Sequence, residues 1–172
     1  GELKAGQSIL IVGASSGVGL MGLQVARLKG AGLVIGSSTN AERRAQLADF
    51  GAHLAVDTND PNWVQHIRDA TGGDGVDVVV DQVTGALASQ TLHATKILGR
   101  IVNVGRLGGN RAEFDFDIHA RRRITFIGVT FRTRTKEEVR EINRRMQTDL
   151  GPAIAAGKLS LPISHTFPFA EL

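Results

Sequence analysis

One stretch near the start of the chain constrains the fold more than any other: an apolar run that stops at small residues and is followed by a helical pattern. The run covers residues 9–12 and the helical pattern residues 18–28. Gly13, Gly17 and Gly19 lie at the junction. Glycine lets a backbone turn sharply and lets a ligand approach it, and a helix start offers free N–H groups and the positive end of the helix dipole. The stretch therefore predicts strand, tight turn and helix, with a phosphate group bound at the turn.

Further strands are predicted where β-branched apolar runs recur between helical patterns. The most continuous runs cover residues 76–80 and 101–104, as expected of central parallel strands that are buried on both faces. Shorter runs predict strands at residues 32–36, 53–56 and 124–129. Strands that alternate with helices at this spacing are typical of βαβ units with right-handed crossovers. The sequence thus predicts a doubly wound, Rossmann-like α/β fold with a parallel sheet of about six strands.

Capping residues mark several helix starts between these strands. Asn40 is predicted to cap one helix, and Thr135 with Glu138 forms the pattern of a capping box at another. Asp60 followed by Pro61 predicts a cap with proline at the first helical position. These positions divide the chain at the same points as the apolar runs do.

The composition excludes several classes of protein. At 172 residues and 42% hydrophobic the chain is long enough for one domain with a real core, and the absence of cysteine removes disulfides and thiolate metal sites. With 20 basic against 17 acidic residues the surface is mixed, so no nucleic-acid partner is expected. No apolar run reaches about 18 residues, so no membrane partner is expected, and a cytoplasmic location is the default.

The acidic residue that marks an NAD site is missing from this chain. In dinucleotide-binding folds a carboxylate at the end of the second strand, roughly 20 residues after the glycines, binds the ribose 2′-hydroxyl of NAD. Here residues 36–39 read Gly-Ser-Ser-Thr, and Arg43 and Arg44 follow in the next helix. Small hydroxyl side chains and a guanidinium suit a 2′-phosphate, which an aspartate would repel. The pattern favours NADPH over NADH, and an ordinary solvated helix face is the alternative explanation of the two arginines.

Two dehydrogenase families share the letters of the glycine stretch. Residues 12–19, Val-Gly-Ala-Ser-Ser-Gly-Val-Gly, resemble the opening of short-chain dehydrogenases, which need a tyrosine and a lysine as acid and base. The chain contains no tyrosine, so that chemistry is unavailable to it. The order of its other motifs resembles the cofactor domain of the medium-chain dehydrogenase/reductase superfamily, in its zinc-independent NADPH quinone oxidoreductase branch. The motifs are Leu-Lys-Ala-Gly-Gln at 3–7, Gln-Val-Ala-Arg at 24–27, Phe-Gly-Ala at 50–52, Gly-Val-Asp-Val-Val-Val-Asp at 75–81 and Gly-Arg-Ile-Val-Asn-Val-Gly at 99–105.

The resemblance implies a set of residues that contact the dinucleotide. They are Ser15, Ser16, Gly17 and Val18 at the pyrophosphate, Ser38 and Arg43 at the adenosine 2′-phosphate, Val83 near the cofactor, Val104 and Gly105 at its nicotinamide half, and Phe131 with Arg132 close to the reduced ring or the active cleft. Several have a purely structural alternative. Val83 and Val104 are also explained as core or strand-end residues, Gly105 as a residue that allows a turn, and Arg132 as one that faces solvent or a partner subunit.

The chemistry that the resemblance implies is hydride transfer from the nicotinamide to a quinone or enone-type acceptor. The cofactor carries that chemistry, while the protein supplies orientation and a dry cleft. In the resembling enzymes the cleft lies between this domain and a preceding GroES-like domain, which residues 1–172 do not contain. The chain also begins without methionine and stops within what looks like a new element, so we expect one dinucleotide-binding domain that is a fragment of a longer protein, inactive by itself.

No catalytic residue is predicted from the sequence. The five histidines are scattered and are more readily explained as surface or structural side chains. No metal is expected, because the zinc-using relatives rely on cysteine ligands. A homodimer is expected, since relatives often pair through the sixth strand, here residues 124–129. The alternative to an enzyme is a non-catalytic dinucleotide-binding or redox-sensing module, because a fold does not fix a function.

Overall fold

The protein forms a parallel six-stranded sheet with helices on both faces. The computed structural model describes residues 1–163 and 165–171. Its strands are Ser8–Val12 (β1), Leu33–Ser37 (β2), Leu54–Val56 (β3), Val76–Asp81 (β4), Thr95–Asn103 (β5) and Thr125–Gly128 (β6). They are arranged in the order β3-β2-β1-β4-β5-β6, and every neighbouring pair is parallel. The prediction of a doubly wound α/β fold with about six strands is confirmed.

Within the described residues, six α-helices connect and flank the strands. They are Gly17–Leu28 (α1), Ala41–Ala45 (α2), Trp63–Ala70 (α3), Ala88–Ala94 (α4), Phe116–Arg122 (α5) and Lys136–Ala155 (α6), with short 3-10 turns at Gln46–Phe50, Gly85–Leu87 and Phe169–Glu171. The predicted caps at Asn40 and Thr135 are confirmed, the second as a complete capping box. Among the helices of residues 1–163 and 165–171, none has both the length and the apolar character that crossing a membrane requires.

The predicted start of α3 is wrong by two residues. Pro61 precedes the helix, which begins at Trp63. The carboxylate of Asp60 accepts the N–H of Asn62 at 2.8 Å, and its carbonyl accepts the N–H of Trp63 at 3.1 Å. Asp60 therefore closes a turn on the residues after the proline instead of capping a helix that starts at it.

The core consists of two apolar layers, one on each face of the sheet. Helix α1 buries Leu20, Leu23 and Ala26 against one face. On the other face Trp63 and Ile67 of α3 pack with residues of β1, β4 and β5. The indole of Trp63 is fully buried, and its Nε1 donates to Gln90 Oε1 at 2.8 Å. Because both faces are covered, the central strands β1 and β4 consist mostly of β-branched and other apolar residues, as their sequence predicts.

Strand β6 forms one edge of the sheet. It pairs with β5, and within the described residues no strand lies on its outer side. Phe126 on this strand is 39% exposed. An edge strand presents unpaired backbone groups that another chain can use. The homodimer that the sequence analysis expected through this strand stays a prediction.

Candidate functional site

The carboxyl ends of β1 and β4 meet at the point where the strand order reverses. From β1 the chain proceeds to β2 and β3 on one side, whereas β4, β5 and β6 lie on the other. Val12 is in register with Asp81, and Asp81 in turn with Asn103. In open parallel sheets a crevice opens above such a reversal, and ligands bind there.

The loop between β1 and α1, residues 13–16, lies at this crevice and leads directly into α1; we call it the glycine loop. Gly13 has φ +78°, a left-handed conformation that favours glycine. Ser16 is the N-cap of α1, and its hydroxyl accepts the N–H of Gly19 at 3.1 Å. A Cβ atom on Gly19 would lie 2.5 Å from the Cα of Ala14, so the loop packs directly on the first helical turn. The N–H groups of Gly17 and Val18 begin the helix and have no acceptor inside it, which makes this turn suited to an anion.

The end of β2 is tied to the same loop by serine hydroxyls. Ser37 Oγ accepts the N–H of Gly13 at 3.1 Å, and the carbonyl of Ser37 accepts the N–H of Ala14 at 2.8 Å. Ser38 Oγ lies 3.0 Å from Ser15 Oγ. Ser37, the last residue of β2, and Ser38, which follows it, are both buried. The structure thus brings Ser15 and Ser38 together, although 23 residues separate them in sequence.

The two arginines of α2 have different surroundings. Arg44 donates to the carbonyl of Ser38 at 2.8 Å and pairs with Asp57 Oδ2 at 2.9 Å. Arg43 instead lines an open cleft of about 450 Å³ that also includes Ser15 and Gly17. The ion pairs within residues 1–163 and 165–171 include Arg44 but not Arg43. Arg44 therefore stabilises the fold by joining the ends of β2 and β3. Arg43 lines the cleft at the glycine loop.

Two residues from the C-terminal part of the chain complete this cleft. Leu161 and Pro162 form its outer wall. They are held there by the neighbouring Ser160, whose N–H donates to Gln24 Oε1 at 2.9 Å and whose carbonyl accepts from Gln24 Nε2 at 2.8 Å. Sequence analysis missed this wall. Nothing local marks it, because the contact joins residues 136 positions apart.

The ends of β4 and β5 form the other side of the crevice. Asp81 is 1% exposed, and its Oδ1 accepts the N–H groups of Val83 at 2.9 Å and Thr84 at 2.8 Å. Burial raises the pKa of Asp81 above its ordinary value, although these hydrogen bonds oppose the change. Thr84 has φ +55°, which is strained for a β-branched residue. It is held there by its hydroxyl, which donates to the carbonyl of Gly105 at 2.8 Å and accepts from Asn103 Nδ2.

Gly105 is required by a close approach of two backbone segments. A Cβ atom there would lie 2.3 Å from the carbonyl oxygen of Gln82. The N–H groups of Val104 and Gly105 both donate to the carbonyl of Asp81, at 2.8 and 3.1 Å. This accounts for the glycine structurally. A contact of Val104 or Gly105 with the nicotinamide stays a prediction.

Gln82 connects this side of the crevice to the glycine loop. The residue is 5% exposed, and its Oε1 lies 2.9 Å from Ser16 Oγ. Its Nε2 is buried and has no hydrogen-bond partner within the described residues. A buried donor without a partner is rare in a folded protein. Three features of this crevice therefore suit a dinucleotide phosphate. They are the unpaired donor, the free N–H groups in the first turn of α1, and the absence of a side chain at Gly19 and Gly105.

The structure gathers most, but not all, of the predicted cofactor residues. Ser15 and Ser16 belong to the glycine loop, and Gly17 and Val18 begin α1. Ser38 and Arg43 lie next to the loop. Val83 also lies beside it, since a Cβ atom on Gly13 would come within 3.1 Å of Val83 Cγ2. Phe131 and Arg132 follow β6, which is three strands away from β1, or about 14 Å across the sheet. Both are exposed. Their role at the reduced ring stays a prediction.

Sequence analysis missed Gln82, although a signal was available. The residue follows immediately after the β-branched run of β4 and so lies at the carboxyl end of a strand that neighbours β1. As to metals, no group of three His, Asp or Glu side chains lies close enough to hold an ion in the part of the chain that the structure describes.

Comparison with known proteins shows the family to which this chain belongs. A family model described as zinc-binding dehydrogenase matches residues 17–148. Human quinone oxidoreductase is 29% identical over 86% of this chain and 44% of its own length. A mycocerosic acid synthase-like polyketide synthase from Mycobacterium tuberculosis is 29% identical over 99% of this chain and 8% of its own length. The chain thus spans less than half of either relative.

A solved structure shows the same fold. The quinone oxidoreductase of Escherichia coli, crystallised in complex with NADPH, superposes with a TM-score of 0.80 over 95% of this chain and 49% of its own, at 24% identity. The strand order, the glycine loop at the reversal point and the family match agree. This chain belongs to the zinc-binding dehydrogenase family, the NAD(P)-binding part of the medium-chain dehydrogenase/reductase superfamily.

Proposed function

We propose that this chain is the NADPH-binding domain of an oxidoreductase that transfers a hydride from the nicotinamide to a quinone or enone-type acceptor. The observation that carries the choice of NADPH is the placement of Arg43 in the cleft with Ser15 and Gly17. The end of β2 offers Ser37 and Ser38 in place of a carboxylate, and both are buried under the glycine loop. A guanidinium binds a phosphate through charge-assisted hydrogen bonds, so the 2′-phosphate of NADPH would be held here.

The other arginine of α2 supports this assignment. Arg44 forms an ion pair with Asp57, and its guanidinium also donates to the carbonyl of Ser38. The carboxylate of Asp57 is therefore neutralised by Arg44 and does not repel a phosphate at the end of β2. When bound, the dinucleotide supplies the hydride, and the residues of this chain hold and orient it.

The test is a comparison of NADPH and NADH binding to the wild-type chain and the Arg43→Ala variant by calorimetry. We expect NADPH affinity to fall by about tenfold, since a charged hydrogen bond is lost, and NADH affinity to stay the same. Arg140→Ala is the matched control, because Arg140 is an exposed arginine of α6 whose one ion pair within residues 1–163 and 165–171 is with Glu137. Equal NADPH affinity in Arg43→Ala and wild type would refute the choice of cofactor.

The acceptor is proposed from the relatives. Human quinone oxidoreductase supports a quinone, and the chain spans 44% of that protein, so the groups that bind the acceptor would lie in a further, GroES-like domain. The match to the mycobacterial polyketide synthase continues over 99% of this chain, and it favours a second candidate, in which an enone-type group on a polyketide chain is reduced. Oxidation of NADPH by a quinone and by an enone thioester, measured on the longer protein, separates the two. Binding without turnover on either would support the non-catalytic module instead.

A further inference from the structure

The amide of Gln82 is half satisfied at the point where the two sides of the crevice meet. Its Oε1 faces the hydroxyl of Ser16, the N-cap of α1, at 2.9 Å. Its Nε2 is buried without an acceptor among the described residues. A buried donor that makes no hydrogen bond costs the full desolvation of that group. The amide is therefore an unfavourable feature of the free protein, and its position needs an explanation other than stability.

The surroundings of Gln82 show that the fold itself does not need the side chain. The Ser16 hydroxyl has a second acceptor, the carbonyl of Gly13 at 3.0 Å, so it stays hydrogen-bonded if Gln82 is removed. The cap of α1 uses the oxygen of Ser16 as acceptor for Gly19, which is independent of Gln82. The main-chain contacts of Gln82 with the Gly105 segment do not involve its amide.

We propose that Gln82 is a cofactor-binding residue whose Nε2 donates a hydrogen bond to the pyrophosphate of the bound dinucleotide, while Oε1 continues to hold Ser16. This rests on the proposed function, because it assumes a dinucleotide in the crevice. A pyrophosphate brings acceptor oxygens to the first turn of α1, beside Ser16, which is where the unpaired donor lies. Because Nε2 is shielded in the free protein, this hydrogen bond would require the glycine loop to move as the ligand enters.

The inference predicts that stability and affinity change in opposite directions in one variant. Gln82→Met keeps the length of the side chain but has no donor. The melting temperature of the free chain should be unchanged or higher, because a buried unpaired group is removed, whereas NADPH affinity should fall by about tenfold. A purely structural glutamine would lower the melting temperature and leave affinity unchanged. Gln82→Glu keeps the acceptor for Ser16 and replaces the donor by an oxygen, so it should bind NADPH still more weakly.

Two controls separate this inference from the proposed function. Gln90→Met removes the acceptor of the buried Trp63 Nε1 and should lower the melting temperature without a change in NADPH affinity. As a ligand, adenosine 2′-monophosphate keeps the 2′-phosphate but lacks both phosphates of the pyrophosphate, so Gln82→Met should bind it as wild type does, while Arg43→Ala should bind it more weakly. If Gln82→Met binds NADPH as tightly as wild type while Arg43→Ala does not, the inference is wrong and the proposed function stands. If wild type binds neither NADPH nor NADH, both are wrong.

Discussion

Strand β4 carries an aspartate near each end, and the pKa values of the two carboxyl groups are shifted in opposite directions. At the amino end, Asp77 Oδ2 accepts the backbone N–H of Ser8 at 2.8 Å and its hydroxyl at 2.7 Å, and Oδ1 pairs with Lys96 Nζ at 2.8 Å. Partial burial works against ionisation, but the hydrogen bonds from Lys96 and Ser8 hold the pKa of Asp77 below its ordinary value. This carboxylate joins β1, β4 and β5 and stabilises the fold.

At the carboxyl end of the same strand, fewer of the polar side-chain atoms have partners. Asp81 has backbone N–H groups as partners but no cation within the described residues, and burial raises its pKa. Next to it lie the unpaired Nε2 of Gln82 and the strained backbone of Thr84. The comparison teaches that polar groups satisfy one another at the structural end, whereas at the other end they are left for a ligand to complete. Three predictions test this difference.

The largest effect is expected from Gly19→Ala in the first turn of α1, which lies beside the carboxyl ends of β1 and β4. The new Cβ would lie 2.5 Å from Ala14 Cα and 2.6 Å from its carbonyl oxygen, and neither backbone atom can move aside cheaply. We expect the free energy of unfolding to fall by about 3 kcal/mol and NADPH binding to be lost, measured by urea unfolding and calorimetry. Gly128→Ala is the control, because a Cβ on this exposed β6 residue meets nothing within 4 Å; it should change the free energy of unfolding by about 1 kcal/mol or less.

An intermediate effect is expected at the amino end, from Asp77→Ala. The variant leaves the N–H of Ser8 and the ammonium of Lys96 without their acceptor, so the free energy of unfolding should fall by about 2 kcal/mol at neutral pH. NADPH affinity should not change, because this end lies away from the crevice. A loss of affinity comparable to the loss of stability would break the division between the two ends.

The pH dependence of this effect has a definite sign. The folded-state pKa of Asp77 lies below its unfolded value of 3.8, so the folded protein releases this proton more readily. The stabilisation is fully present above the unfolded pKa and is lost as the pH falls through the lowered one. The difference between wild type and Asp77→Ala should therefore shrink in acid.

The smallest effect, of the opposite sign, is expected from Asp81→Asn. Asparagine keeps the oxygen that accepts from Val83 and Thr84 and removes a buried negative charge. The raised folded-state pKa of Asp81 means that the folded protein binds this proton more tightly, so wild-type stability declines as the pH rises from 3.8 through the raised value. The variant should lack that decline and be more stable at neutral pH, by about 1 kcal/mol or less. Lower stability than wild type across the whole range would contradict this explanation.

Local sequence patterns were sufficient for most elements, and they failed where a side chain closed a turn instead of capping a helix or where a neighbouring strand extended an element. The capping box at Thr135 was predicted because its residues are three apart and satisfy each other. The start of α3 was not, because Asp60 bonds Asn62 and closes a turn instead. Strand β5 begins at Thr95, before the predicted residues 101–104, because its first residues pair with Val76 across a register shift.

At the site, the sequence by itself determined the tight turn between β1 and α1. A β-branched run, glycines and a helix start together give a turn with free backbone N–H groups, whatever the rest of the chain does. The sequence also determined that no acidic side chain stands at the end of β2. Only the tertiary structure separated Arg43 from Arg44, since the partner of Arg44, Asp57, comes from the end of another strand. Likewise, only the pairing of β1 with β4 placed Gln82 against Ser16, 66 residues away. The hydrogen bonds of turns, caps and helices join residues that are close in sequence, so local patterns predict them. Which polar group is left unpaired depends on how the whole molecule packs.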